Sequence, residues 1–107
     1  VLALNRCAAS LLIGCGSGRL TSAGEYDPYG TVLSYLVAGC PAAVACLWPV
    51  TDADINRFTA ALIDCWLDRA SEARDCSLAE LLPRARRSTQ LPYLTGAAAV
   101  CYGVPVY

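Results

Sequence analysis

Seven cysteines and no histidine stand among the 107 residues. One of those thiols has neighbours suited to reaction. Cys15 lies in Gly14-Cys15-Gly16-Ser17-Gly18, directly after the apolar run Ala9–Cys15. A thiol in this place can act as a nucleophile. Gly14 and Gly16 let a substrate backbone come close, and the Cys15 amide can face a developing oxyanion. The same pattern also describes a buried cysteine ahead of an ordinary glycine-rich turn. A phosphate cradle fits less well, because the run lacks the lysine of a P-loop and no helix start follows at dinucleotide spacing. A second group is Trp48-Pro49-Val50-Thr51-Asp52-Ala53-Asp54. Carboxylates at Asp52 and Asp54 could bind a cationic side chain, and a guanidinium suits them best because it can be held bidentately. Helix capping is the other reading of the two aspartates.

These groups need elements to bring them together. Ala9–Cys15 reads as a buried parallel strand ending in a flexible turn, and Ser22–Gly30 as a loop. Thr31–Ala38 fits a short helix with Gly39 as its C-terminal cap. Pro41 ends it, and Ala42–Trp48 reads as a second buried strand. Thr51 offers an N-cap hydroxyl, with Asp52 and Asp54 in the first turn beside the positive end of the helix dipole. Ile55, Phe58, Leu62 and Trp66 then form one apolar stripe on a helix of about five turns. Ser71–Cys76 reads as a loop. Ser77 and Glu80 have capping-box spacing, but Pro83 conflicts with a helix continuing from them. The expectation is therefore a short turn and a helix from near Pro83 to about Gln90. Ala97–Tyr102 is a third strand.

The order strand, helix, strand, helix, helix, strand implies an α/β fold with a mostly parallel sheet and helices on its faces. In such sheets ligands gather at the carboxyl ends of the strands, where Cys15 and the Trp48 segment both fall. The strand leading to Cys15 is expected beside the one ending at Trp48.

Composition narrows the field. Hydrophobic residues make up 56% of the chain and charged residues 16%. So apolar a small domain implies surface covered by other chain, with an alanine-rich coding bias contributing. The formal net charge of −1 points to neither nucleic acid nor an anionic membrane. All the basic residues are arginine, grouped only around Arg84, Arg86 and Arg87. No stretch is long and apolar enough to span a membrane, and the opening does not read as a signal peptide. Cys7, Cys40, Cys46, Cys65, Cys76 and Cys101 lack the paired spacing of zinc sites or of a secreted disulfide scaffold. They read as buried reduced thiols, which suggests a reducing compartment. No metal ligand set and no cofactor motif is expected.

The residues resemble a known family. Leu11-Leu12-Ile13-Gly14-Cys15-Gly16-Ser17-Gly18-Arg19-Leu20 is similar to the nucleophile segment of separases, usually Met-Gly-Cys-Ser-Ser-Gly. Gly30–Gly39 looks like the helix that follows it. Leu47-Trp48-Pro49-Val50-Thr51-Asp52-Ala53-Asp54-Ile55-Asn56-Arg57-Phe58 resembles the block Leu-Trp-x-Val-Thr-Asp-x-Asp-Ile-Asp-Arg-Phe. Leu91–Pro105 looks like the closing segment, and its Tyr-Gly-Val-Pro favours separase over the bacterial CHAT-type proteases that share Cys followed by Leu-Trp-Pro-Val.

The resemblance implies residues 1–107 are the C-terminal part of a caspase-like protease domain. It implies a cysteine endopeptidase that cleaves the cohesin kleisin subunit after arginine, releasing sister chromatids at anaphase in mitosis. Securin would be its inhibitor, and cytoplasm and nucleus its compartments. Cys15 would be the nucleophile, its amide part of the oxyanion hole, and Trp48, Asp52, Asp54 and Asn56 the substrate-binding group. The base would be a histidine in a His-Gly segment N-terminal to Val1, in the remainder of the domain. Without it the 107 residues are expected to be inactive alone. Two positions depart from the family pattern: Gly16 replaces a serine, and Asn56 replaces the third aspartate, which would weaken any hold it has on arginine. A caspase-like binding module without catalysis is the other reading.

Overall fold

A computed structural model describes residues 7–68 and 75–107. Strand β1 (Ser10–Leu12) is followed by a hairpin of β2 (Thr21–Ala23) and β3 (Tyr26–Tyr29). Helix α1 (Thr31–Val37) leads to β4 (Ala42–Cys46), and α2 (Asp52–Leu67) and α3 (Leu78–Arg86) lead to β5 (Ala99–Gly103). The Ser71–Cys76 loop expected from sequence falls partly outside the described residues, since residues 71–74 are not among them.

β4 is the middle strand of the order β1-β4-β5 and is buried along its whole length. Its alternating side chains serve two layers. Ala43 and Ala45 pack with Val32 and Leu33 of α1 and with Leu12 and Tyr102. Val44 and Cys46 face the larger core of Ile55, Phe58 and Leu62 from α2 with Leu78, Leu81, Leu82 and Ala85 from α3. Helices therefore cover both faces, and the apolar stripe read along α2 is its core face.

β1 and β4 are parallel and adjacent, with Ser10 opposite Ala43 and Leu12 opposite Ala45. This is the pairing expected of the two strands that carry the chemistry. β5, by contrast, pairs with β4 antiparallel, Cys46 opposite Ala99 and Ala42 opposite Gly103. The mostly parallel sheet expected from sequence is thus corrected to a mixed one. The cause is the pair of helices between β4 and β5. One crossover helix returns a chain to the start of the sheet, but a second brings it back to the carboxyl end it left. The next strand must then run the opposite way.

Three further expectations are corrected. The segment read as a loop at Ser22–Gly30 contains β3 and the end of β2. α3 starts at the Ser77 capping box rather than near Pro83. The Ser77 N–H and Oγ–H both donate to the Glu80 carboxylate, at 2.7 and 2.8 Å. Pro83 sits inside this helix on an exposed face, between the buried Leu82 and Ala85. Thr51 does occupy the N-cap position of α2, but its side chain makes no capping bond. The Gly39 cap is present: Cys40 N–H donates to Tyr35 O and Gly39 N–H to Leu36 O, the Schellman pattern.

Candidate active site

The turn after β1 is built by its own backbone. Ser17 N–H donates to Gly14 O at 3.1 Å and Arg19 N–H to Gly16 O at 3.0 Å, with Gly16 at φ 67. Only a residue without a side chain reaches that conformation cheaply. The turn is then fastened to β4. Gly18 N–H donates to Cys46 O at 2.8 Å, and a Cβ on Gly18 would lie 3.0 Å from the Ala45 Cβ. Ser17 Oγ donates to Leu12 O and accepts the Cys46 N–H at 3.1 Å. One hydroxyl thus ties the turn to the ends of both β1 and β4.

This arrangement leaves Cys15 exposed at the tip. Its Sγ lies 3.8 Å from the Val50 carbonyl oxygen, so the thiol meets the segment after β4 across the sheet edge. Beneath it, burial and then the neighbouring Cys15 push the Cys46 thiol pKa up, which keeps that sulfur protonated and inert. Cys7 and Cys40 lie at the other end of β1. Cys40 Sγ is 3.4 Å from Ala8 O and 3.3 Å from Ser10 Oγ.

Beside Cys15, Trp48, Pro49, Val50 and Thr51 form one wall of a pocket of about 240 Å³, and Leu91, Leu94 and Thr95 form the other. The Trp48 indole N–H donates to Leu94 O at 2.8 Å, joining the walls while the ring stays 37% exposed. Asp52 and Asn56 are exposed on the first turns of α2. Asp54 is not: it is 3% exposed. Gln90 N–H donates to its Oδ1 at 2.6 Å and Leu91 N–H to its Oδ2 at 3.1 Å. Burial works to raise the Asp54 pKa, but these two amides, the Thr95 hydroxyl and the Arg57 guanidinium together hold it below the ordinary value. Arg57 Nη1 is 3.6 Å from Oδ1.

The structure therefore brings Gly14, Cys15, Gly16, Trp48 and Asp52 to one edge of the sheet. Asp54, grouped with the substrate-binding residues from sequence, is here occupied by the Gln90–Thr95 loop. That loop, Ser17 and Thr95 are parts of the site that sequence reasoning did not single out. Ser17 read only as turn composition, and no periodicity links a loop to an aspartate 36 residues earlier.

The family described as separin, protease domain, matches residues 1–55. The separin of Schizosaccharomyces pombe is 44% identical over 97% of this chain, and that of Mus musculus 43% identical over 99%. A crystal structure of the Saccharomyces cerevisiae separase–securin complex superposes with a TM-score of 0.77 at 36% identity over 91% of this chain. The chain spans only 6% of the S. pombe protein, 5% of the mouse protein and 7% of the solved chain. With the family model matching half of the chain and separins of yeast and mouse 43–44% identical over nearly all of it, the chain belongs to the separin protease-domain family.

Proposed function

We propose that these residues carry the nucleophile side of a separase-type cysteine endopeptidase. One observation carries the reading. The parallel pairing of β1 with β4 sets the Cys15 turn and the Trp48–Asp54 segment side by side at the carboxyl edge of the sheet. The Cys15 thiolate attacks the scissile carbonyl, the amine leaves with a proton, and water hydrolyses the thioester. The amides of Ser17, Gly18 and Arg19 are already bonded within the site, so the turn offers the oxyanion the Cys15 amide with that of Gly16 beside it. The base is a histidine supplied from outside these 107 residues, which hold none.

The substrate residue before the scissile bond is an arginine of the cohesin kleisin. Its aliphatic stem lies along Trp48 and its charge faces Asp52, the exposed carboxylate at this edge. Asn56 leaves the pocket one carboxylate short of the family pattern. The S. cerevisiae relative was solved with securin, which supports an inhibitor of that kind here; cytoplasm and nucleus are the compartments that the family resemblance implies. The test is an arginine-peptide ketone probe on the full-length protein. It should label Cys15, and Cys15→Ser should abolish both labelling and cleavage without unfolding the protein. Cleavage that survives Cys15→Ser overturns the assignment.

A further inference from the structure

Between the end of α3 and the 3-10 turn at Gly96–Ala98, the chain crosses the sheet edge without a helix or strand of its own. Its large side chains do not hold it down: Leu91 is 46% exposed, Leu94 62% and Tyr93 89%. Polar ties do. Arg86 closes the far end by donating to Gly96 O and Ala99 O, both at 2.9 Å. Trp48 takes the Leu94 carbonyl. A further tie is Asp54, whose two oxygens accept two consecutive backbone N–H groups, with the Thr95 side chain beside them. Charge-assisted bonds of this kind are stronger than neutral ones, and the carboxylate that accepts them is itself buried. This same stretch supplies the second wall of the pocket beside Cys15.

We propose that Asp54 is a positioning residue that sets substrate affinity by clamping the Gln90–Thr95 loop as the far wall of that pocket. The role rests on the protease reading above and deepens it. It also differs in a measurable way from direct recognition of arginine. A carboxylate that pairs with the substrate discriminates guanidinium from a neutral isostere. A carboxylate that holds the wall affects every side chain that enters, whatever its charge.

The experiment uses full-length enzyme with matched arginine and citrulline peptides. Asn at position 54 keeps one acceptor but turns an NH2 toward a backbone N–H. Asp54→Asn should raise KM for both peptides in parallel, by about 10-fold, the loss of roughly one charge-assisted bond. Its kcat and the rate of Cys15 alkylation by iodoacetamide, which does not use the pocket, should stay within about 2-fold of the parent. Thr95→Val removes one donor and should move both KM values the same way, by about 3-fold. Should Asp54→Asn not fold, this variant decides alone. A rise confined to the arginine peptide overturns the clamp in favour of direct pairing, and unchanged KM values overturn it outright. Amide exchange at Gln90 and Leu91 should quicken in either variant, with or without turnover. A parent enzyme lacking Cys15-dependent cleavage refutes the protease reading and the affinity role with it. A cleaving parent whose variants keep both KM values refutes the clamp alone.

Discussion

At the scale of single residues, the nucleophile's turn depends on a hydroxyl spent entirely on backbone groups. Ser17 satisfies two backbone groups at once, the Leu12 carbonyl and the Cys46 amide. Both lie where strands end and the ladder can no longer serve them. Ser17→Ala leaves both without that partner in a half-buried site, at a cost of about 1–3 kcal/mol. Because the turn loses its tie to β1 and β4, kcat should fall while KM holds, since the pocket walls are anchored separately. Denaturant titration together with steady-state kinetics on the full-length enzyme checks this. A variant with parental stability and kcat would show that the Gly18–Cys46 backbone bond alone fixes the turn. The sequence showed Cys15 clearly, because glycines flank it after an apolar run. It did not show Ser17 or Thr95, since a turn serine and a loop threonine are common and their partners are distant in the chain. Asp54 was visible as a helix-start acid, yet type and position alone cannot tell a carboxylate facing solvent from one turned under a loop.

Elements were legible where one periodicity dominated. The stripe Ile55, Phe58, Leu62, Trp66 marks α2, and the unbroken apolar run Ala42–Cys46 marks a strand buried on both faces. The hairpin was hidden because β2 is short and small-sided and Pro28 lies in β3, both weak strand signals. Its readable mark is Gly24 with φ 70 at the first position of a two-residue turn, between the paired Ala23 and Tyr26. β5 had the right place and the wrong implied direction, although two consecutive helices already required an antiparallel return. In α3, local rules conflict. Pro83 lacks the N–H that would reach Ala79, but the Ser77–Glu80 box and four buried side chains hold the helix through it. Replacing Pro83 with alanine should therefore stabilise the protein, by up to about 3 kcal/mol. Calorimetry reads this as a higher Tm, and a lower Tm would mean that the exposed ring contributes packing lost on substitution.

On the scale of the whole molecule, the three-stranded sheet has two edges, and one of them is β1, the strand that delivers Cys15. Leu11 and Leu12 on it are only half-buried, and Val37, Leu67, Val104 and Tyr107 lie exposed elsewhere. An apolar fraction of 56% exceeds the roughly 45–50% of ordinary soluble domains. This chain spans 6% of the S. pombe separin, and these features lead us to expect neighbouring structure to cover it. The same dependence holds for the chemistry. A cysteine nucleophile needs a base to take its proton and an acid to release the amine. These residues include no histidine, and the hydrogen-bond neighbour of Cys15 Sγ is the Val50 carbonyl, which accepts no proton. The isolated 107 residues should therefore not cleave an arginine peptide, although iodoacetamide should still modify Cys15, which is exposed in them. Mass spectrometry of the alkylated chain and a fluorogenic arginine substrate read the two outcomes in one preparation. Turnover lost in Cys15→Ser would mean that a group within these residues acts as the base, and the division of the catalytic machinery proposed here would fall.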